Sequence, residues 1–127
     1  METSEKKEAI NRLTIGLLDL IILKYLKSEP MYPYQIISNI KDDGGGSIGP
    51  GTIYPHIDKL ECKGYVISEP KIVKNRCRRV YKLTKKGKDF LNYLLYSHNL
   101  LLKNVYNKEP KLTELLVIPL MEEEVTY

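Results

Sequence analysis

The sequence predicts a mainly α-helical domain with a small β-hairpin, an α+β fold. Apolar residues recur at helical spacing through the first half of the chain, two short segments of alternating character follow, and a long amphipathic segment comes last. With 127 residues, of which 43% are hydrophobic and 28% charged, the chain has the size and balance of one soluble globular domain. It can therefore bury one modest core.

Two helices are predicted at the start of the chain. Residues 8–28 carry apolar side chains around most of a helical circumference, so this first helix needs cover on two sides. Pro33 can begin a second, short helix because a proline in the first helical turn gives up no intrahelical hydrogen bond. Residues 42–47 include three consecutive glycines and predict a turn or a flexible connector.

A third helix is predicted over residues 52–63. Three apolar residues at i, i+4 and i+7, beginning with Ile53, share one face. Thr52 is a suitable N-cap, and Gly64 can end the helix in a left-handed conformation. This start leaves Pro55 in the first turn, where a missing N–H costs nothing. A start three residues earlier would instead predict a kink at Pro55.

A hairpin and a long helix complete the predicted fold. Residues 65–68 and 79–83 have the composition of two strands, joined by a polar and basic loop. Thr84 can cap a helix that runs to about residue 107, and residues 112–120 favour a further short turn. We expect two units, with residues 1–83 forming the globular part and residues 84–127 a helix and tail.

The positive charge of the chain is concentrated in one block. The net charge is only +4, but residues 71–88 contain nine lysines and arginines and no acid, so the rest of the chain sums to about −5. A block of like charge is often a solvated surface or a disordered tail. Here it lies between two predicted ordered elements, which favours a basic patch on the folded surface.

The last helix carries an apolar seam with nearly two heptads of coiled-coil spacing. One interpretation is a single amphipathic helix packed on its own domain, and the other is a homodimer joined through the first and last helices. A small three-helix body leaves little surface to cover two apolar helices, which favours the dimer. The residues assigned to this interface are Leu13, Leu17, Leu91, Leu94, Leu95, His98, Leu101, Leu102 and Val105.

The order of the elements is that of a winged helix-turn-helix, in which the third helix enters the DNA major groove and the hairpin contacts the backbone beside it. The basic block falls on the hairpin, where lysines and arginines can neutralise phosphates. Small residues on the outward face of the third helix allow close approach to double-stranded DNA. The residues assigned to DNA binding are Gly51, Thr52, Tyr54, Pro55, His56, Lys59 and Lys63 in the helix and Lys74, Arg76, Arg78 and Arg79 in the hairpin region.

Three stretches resemble the PadR family of transcriptional regulators. GPGTIYPHIDKLECKGYV, residues 49–66, is similar to the family's P-G-T-L-Y-P core and the L-x-x-L-E-x-x-G segment that follows it. SEPMYPYQI, residues 28–36, and RRVYKLTKKGKDFL, residues 78–91, resemble two further family blocks. The likeness runs in order over residues 13–95. It departs from the family at Pro33, which replaces a usual glycine, at Gln35, where an acid is common, and at the three-glycine connector.

The resemblance implies a winged-helix DNA-binding protein, usually a repressor, that dimerises through its N- and C-terminal helices. Some relatives bind phenolic acids or planar hydrophobic drugs near the dimer interface, so a small hydrophobic or aromatic effector is a candidate partner. The drug-stacking tryptophan of some relatives has no counterpart because this chain contains no Trp. The available substitutes are Tyr93, Tyr96, Tyr106 and Phe90, although aromatic residues on a helix more often belong to a core.

Other function classes are less favoured. No run is long and apolar enough for a membrane span, and Cys62 and Cys77 have neither zinc-ligand nor disulfide spacing. We therefore expect no metal, no cofactor and a cytoplasmic, nucleoid-associated protein. No nucleophile comes with a base at a recognisable spacing, which argues against an enzyme. Two alternatives stay open: a sequence-tolerant architectural DNA-binding protein without an effector, and a winged-helix module that binds an acidic protein.

Overall fold

The structure is a computed structural model that describes residues 1–108. Residues 109–127, with the short turn predicted for 112–120, lie outside the described residues. The described part contains five helices and one two-stranded antiparallel sheet, which confirms the α+β class. In chain order the elements are α1 (Thr3–Gly16), α2 (Leu18–Ser28), α3 (Pro33–Asp42), α4 (Pro50–Cys62), β1 (Val66–Val73), β2 (Arg76–Leu83) and α5 (Lys85–Asn107). None of the helices in residues 1–108 combines the length and apolar content needed to cross a bilayer.

The core is built around α2, which packs on α1, α4, α5 and β2. Four of its side chains are buried, and α3 and α4 turn their isoleucines and Leu60 towards them. Tyr81 of β2 and Leu91 of α5 close the core from the other side. Met31 pairs with Tyr81 as an isolated antiparallel bridge, so the chain just before α3 is fixed to the edge of the hairpin.

The first predicted helix is in fact two helices. The chain leaves helical geometry at Leu17, whose φ and ψ are −106° and 11°, directly after Gly16, and α2 begins at the next residue. Glycine is a weak helix former, and the break separates two environments, since α1 has one buried residue and the shorter α2 has four. The prediction of one helix over residues 8–28 was wrong because apolar spacing continues across the break.

The three-glycine connector is docked on α1. Thr14 donates its hydroxyl hydrogen to the carbonyl oxygen of Gly45 at 2.7 Å, and the backbone N–H of Ser47 donates to the side-chain oxygen of Asn11 at 3.1 Å. Thr14 is buried by this contact. The segment is therefore a turn held against a helix and not a free connector.

The start of α4 differs from the prediction. Gly49 is the N-cap and Pro50 the first helical residue, and the N–H of Thr52 donates to the carbonyl oxygen of Gly49 at 3.1 Å. The assignment of Thr52 as the N-cap was therefore wrong. The helix continues through Pro55 to its end. The carbonyl that Pro55 cannot bond belongs to Gly51, which is exposed, so water can satisfy it.

The end of α4 is formed as predicted and is tied to α5. Gly64 has a φ of +81°, and the N–H groups of Gly64 and the following residue donate to carbonyls of the last turn in the Schellman pattern. Thr84 caps α5 by accepting from the N–H of Gly87 at 3.0 Å and donates its hydroxyl hydrogen to the carbonyl of Gly64 at 2.7 Å. A Cβ on Gly87 would overlap the carbonyl oxygen of Tyr65, so only glycine permits this approach.

The hairpin, which we call the wing, is longer than predicted. Its strands pair from Val66 opposite Leu83 to Val73 opposite Arg76, so most of the predicted loop is strand. The turn has only two residues, Lys74 and Asn75, with φ of 51° and 63°. Two left-handed residues are the mark of a type I′ turn, whose twist matches that of the strands.

Candidate nucleic-acid interface

The side of α4 that faces away from the core is open to solvent. Gly51, Pro55, Asp58 and Lys59 are exposed along it, and Lys63 is exposed at the C-cap. Glycine and proline keep the profile of this surface low, so a groove of DNA can come close to the backbone. Asp58, which the sequence analysis did not select, places an acceptor beside the donor of Lys59.

His56 lies on the flank of α4 that faces α5. Its Nδ1 is 3.0 Å from the carbonyl oxygen of Thr52, and because a carbonyl only accepts, Nδ1 carries the hydrogen. The half-buried ring lines a cavity of about 390 Å³ together with His98, beside the junction of α1 and α2. His56 therefore lies at the side of the outward surface and contacts the cavity, and its assignment to DNA stays a prediction.

Tyr54 lies on the opposite flank, towards the wing, and is 46% exposed. It lines a second cavity, of about 260 Å³, between the start of α3, α4 and β2. We call this the wing-base cavity. Its lining residues are Tyr32, Pro33, Tyr34, Tyr54, Cys77, Arg78, Arg79 and Tyr81.

Arg79 is tied to α4 through a side-chain relay. Its Nε donates to the hydroxyl oxygen of Ser68 at 2.9 Å, and the Ser68 hydroxyl donates to Oε2 of Glu61 at 2.6 Å. One acidic group of α4 is thus linked to one cation of the wing through a serine on the other strand. The relay fixes the angle between the wing and α4 and partly offsets the charge of Arg79.

Arg78 is held differently, by aromatic rings. Its guanidinium carbon lies 4.9 Å from the centre of the Tyr34 ring, within the range of a cation–π contact. Tyr34 in turn stacks on Tyr32, with ring centres 5.9 Å apart and an angle of 10° between the planes. The stack restrains the guanidinium without giving its charge an acidic partner.

The outer part of the wing adds two more cations. Lys74 and Arg76 are exposed at the turn and line a third cavity, of about 300 Å³, with Tyr34, Val73 and Arg78. Nearer the base, Lys82 pairs with Glu69 at 3.5 Å. An acid therefore offsets Lys82 near the base, and among residues 1–108 no ion pair offsets Lys74 or Arg76 at the turn.

Tyr81 stays protonated at the foot of the wing. Burial raises the pKa of its hydroxyl above the ordinary value, and the negative charges of Glu61 and Asp58 add to the effect, while Arg79 acts in the opposite direction. A neutral hydroxyl adds no negative charge to the wing-base cavity.

The apolar seam of α5 divides between the core and the surface. Leu91 is fully buried in its own subunit, so its assignment to the dimer interface was wrong. Leu94 and Leu95 are partly buried against the core, and Leu17 and His98 are half-buried. The other assigned residues are open to solvent, with Leu13 and Leu101 each 62% exposed. Leu13 on α1 and Leu101, Leu102 and Val105 on the outer part of α5 therefore present apolar surface to solvent.

Sequence analysis missed three residues that organise the interface. Tyr34 was noted only as part of a resemblance, and its contact with Arg78 depends on the bridge that brings the start of α3 to β2. Glu61 and Ser68 were not selected because their relay to the wing forms only after the chain turns at Gly64. The signal available in the sequence was an acid near the end of the third predicted helix, followed by a serine in the first predicted strand.

Comparisons with known proteins agree with this geometry. The model of the Transcriptional regulator PadR-like family matches residues 22–93, more than half of the chain. The transcriptional regulator Rv3488 of Mycobacterium tuberculosis is 43% identical over 44 residues, which are 35% of this chain and 41% of that protein. The chain therefore matches about two-fifths of the length of that relative.

Solved structures of similar fold include two that bear on the interface. A PadR family transcriptional regulator from Eggerthella lenta has a TM-score of 0.71 and 26% identity, over 80% of this chain and 89% of that one. PadR from Bacillus subtilis, solved in complex with operator DNA, has a TM-score of 0.59 and 29% identity, over 62% of this chain and 47% of that one. None of these three relatives is described as an enzyme or as an architectural protein. Because the family model covers more than half of its length, this chain belongs to the PadR-like family of transcriptional regulators.

Proposed function

We propose that this protein is a homodimeric, sequence-specific DNA-binding regulator, a repressor that binds a palindromic operator on the chromosome in the cytoplasm. The observation that carries the proposal is the open, low-profile side of α4, which lies beside a wing with a concentrated positive charge. A groove-sized helix surface and a basic hairpin side by side suit a duplex better than any small substrate.

In this proposal α4 reads bases in the major groove. Lys59 can donate to O6 or N7 of guanine, and Asp58 can accept from N4 of cytosine. Gly51 and Pro55 let the helix approach the base edges, while Thr52, Tyr54 and Lys63 contact sugar or phosphate at its ends. We expect Lys59→Ala to reduce the preference for the bound site over a scrambled site by about tenfold.

The wing supplies affinity without base preference. Lys74, Arg76, Arg78 and Arg79 neutralise phosphates beside the groove that α4 enters. We expect Arg78→Ala combined with Arg79→Ala to weaken binding to all duplexes while the ratio between selected and scrambled sites stays the same. An equal loss of the ratio would contradict this division of labour.

The dimer is proposed to form through α1 and α5, with residues 84–127 as the dimerisation region. Exposed Leu13, Leu101 and Val105 give this surface its apolar character. An exposed apolar surface of this kind marks a protein interaction site more often than free surface. A two-fold axis through it would present two copies of α4 to successive major grooves, about 34 Å apart.

The cavity that contains both histidines is the proposed site for a small hydrophobic or aromatic effector. It lies between α4, which carries His56, and α5, which carries His98, with Leu20 and Leu94 among its apolar walls. An occupant would touch the DNA-reading helix and the dimer helix together, so binding could change their relative position. Isothermal titration with small aromatic acids, compared with the cavity-filling variant Ser97→Leu, tests this assignment, and binding that is unchanged in the variant would place the effector elsewhere.

Selection of bound fragments from genomic DNA, followed by footprinting, is the decisive experiment. A regulator protects a few discrete palindromic sites, whereas broad protection would point to an architectural protein. If the dimer neutralises about six phosphates, affinity should fall by roughly 10³ between 50 and 200 mM salt. No duplex binding at low salt would contradict the proposal as a whole.

A further inference from the structure

The wing-base cavity has the character of an anion site. Two guanidinium groups, those of Arg78 and Arg79, line it with tyrosine rings, and no Asp or Glu is among the residues that line it in the described part of the chain. The adjoining cavity at the turn adds Lys74 and Arg76 and shares Tyr34 and Arg78 with it. A negatively charged group placed there would meet several donors, while the nearby carboxylates of Glu61 and Asp58 lie outside the lining.

The two arginines are not equivalent. Arg79 donates its Nε hydrogen to Ser68, which is bonded to Glu61, so one donor of Arg79 is engaged and its charge is partly offset. Arg78 is restrained by the face of Tyr34. A guanidinium restrained by a ring instead of a carboxylate keeps its N–H donors available for a two-point contact with phosphate oxygens.

The tyrosine stack explains how Arg78 is aimed. Tyr34 lies on Tyr32, and Tyr32 is anchored because its backbone N–H donates to the side-chain oxygen of Gln35 at 2.8 Å. The bridge between Met31 and Tyr81 holds this segment to the wing. The half-exposed Tyr34 ring is thus supported by Tyr32 and lies against Arg78, so Arg78 loses less conformational freedom when it binds an anion.

We propose that the wing-base cavity is the seat of one backbone phosphate of DNA, held by Arg78, and that Tyr34 is the positioning residue that orients Arg78 for it. The proposal rests on the proposed function, since it names the partner atoms of the wing. The cavity suits a phosphate in size, because 260 Å³ leaves room for the group and several waters at about 30 Å³ each. Tyr54, on the rim of the cavity, brings a hydroxyl of α4 to the same place, so the phosphate lies between the wing and the DNA-reading helix.

The test measures how each protein variant responds when one phosphate of the duplex is made neutral. A duplex recovered by the genomic selection is made in versions that each carry one methylphosphonate, and affinities are measured for wild type, Tyr34→Leu, Tyr34→Phe and Arg78→Lys. We expect Tyr34→Leu to weaken binding to the normal duplex about threefold per subunit, and Tyr34→Phe, which keeps the ring, to stay within about twofold of wild type. Thermal melting of each variant controls for folding.

The decisive outcome is that the variants respond less than wild type to the neutralisation of one particular phosphate. At one backbone position per half-site, the methylphosphonate should weaken wild type more than it weakens Tyr34→Leu or Arg78→Lys, because a lysine makes a one-point contact where the oriented guanidinium makes two. If all variants respond to every methylphosphonate as wild type does, the cavity does not hold a phosphate of DNA and the inference fails, while DNA binding by the protein stands. Arg78→Lys keeps the charge, so it decides the question even if Tyr34→Leu does not fold.

A second arm separates DNA from a free anion. Titration with inorganic phosphate at constant ionic strength should neither displace the duplex nor give a saturable signal that is lost in Arg78→Lys. Saturable phosphate binding without any coupling to a methylphosphonate position would overturn the assignment to DNA and leave a site for a small anion.

Discussion

The two halves of α5 have similar apolar sequences but differ in how deeply their leucines are buried. In the inner half, residues 85–95, Leu91 is completely buried and Phe90, Leu94 and Leu95 pack against the core. In the outer half, residues 96–107, Leu101 and Val105 are 62% and 58% exposed. The same spacing of leucines therefore builds the subunit in one half and leaves a free surface in the other.

The difference arises from what lies beside each half. The inner half packs on α2 and is locked to the end of α4 through Thr84 and Lys86. The first residues of the outer half still line the cavity at the junction of α1 and α2, where Ser97 and His98 are half-buried, whereas residues 99–107 are exposed. Apolar side chains that recur at heptad spacing over an exposed surface fit a second helix, and the globular part of the subunit therefore ends near His98.

The largest effect is expected from Leu91→Ala in the inner half. Removing a fully buried leucine takes away apolar burial and leaves a cavity, which lowers the free energy of unfolding by about 3 kcal/mol. Leu101→Ala is the matched variant in the outer half and should change the unfolding free energy of the monomer by less than about 0.5 kcal/mol. Urea unfolding, at a protein concentration below the dissociation constant of the dimer, measures both free energies. Equal losses would mean that the halves do not differ.

The second prediction concerns Leu101→Asp combined with Val105→Asp. Two carboxylates on the outer half would have to be buried without partners in the proposed dimer, so the dissociation constant should rise by at least about 100-fold. Sedimentation equilibrium measures it, and circular dichroism checks that the helix content is kept. A wild-type protein that stays monomeric at micromolar concentration would contradict the proposed role of this half.

The division within α5 could not be predicted from the sequence, although most of the elements could. The start of α3 at Pro33, the cap at Gly64 and the N-cap at Thr84 follow from local chemistry, and all three are found. Burial is a property of the assembled fold. Leu91 and Leu102 lie on the same face of α5, three turns apart, and yet they are 0% and 38% exposed, because α2 packs against the inner half.

The misplaced boundaries have local physical reasons. Apolar spacing runs on through Gly16 and hides the break at Leu17. At α4 the rule that proline kinks a helix led to a start at Thr52, but the carbonyl freed by Pro55 lies at an exposed glycine, so the helix tolerates it. In the wing, the cations of residues 71–79 masked a strand pattern that cross-strand pairing completes.

The candidate site was predicted in part. The outward residues of α4 and the cations of the wing lie where the winged-helix order places them. His56 lies on a flank of α4 beside α5, a neighbour that a helical wheel does not reveal, and its contact with DNA stays a prediction. Tyr34 was missed because its partner, Arg78, is 44 residues away in the chain and meets it only through the bridge at Met31.

A smaller effect is expected from Lys86→Ala, which tests the lock on the inner half. The Lys86 ammonium donates to the carbonyl oxygen of Lys63 at 2.7 Å, where the dipole of α4 also favours a positive charge. Because the side chain is exposed, we expect a loss of about 1 kcal/mol in the free energy of unfolding. Lys85→Ala is the matched control, since its exposed ion pair with Asp89 should contribute less than about 0.5 kcal/mol. Similar losses in both variants would show that the contact of Lys86 with Lys63 does not stabilise the inner half of α5.

The smallest effect is a pH dependence that reports on α2, the helix that supports the inner half. Burial raises the pKa of the Tyr25 hydroxyl well above its ordinary value, and its 2.6 Å hydrogen bond to Oδ2 of Asp43 adds to the effect. In the unfolded chain tyrosine ionises near pH 10, so above that pH the unfolded state binds fewer protons and stability falls. The stability contributed by the shift is present below pH 10 and is lost as the pH rises towards the folded-state pKa.

Tyr25→Phe should remove this part of the alkaline sensitivity. Between pH 9 and 10.5 we expect the wild type to lose about 0.5 kcal/mol more than the variant, on top of a constant difference from the lost hydrogen bond. Tyr96→Phe, which removes a hydroxyl from the exposed side of the outer half, is the matched control. Urea unfolding at each pH gives the comparison, and parallel curves for wild type and Tyr25→Phe would show that α2 does not hold this tyrosine in the buried, protonated state on which the argument depends.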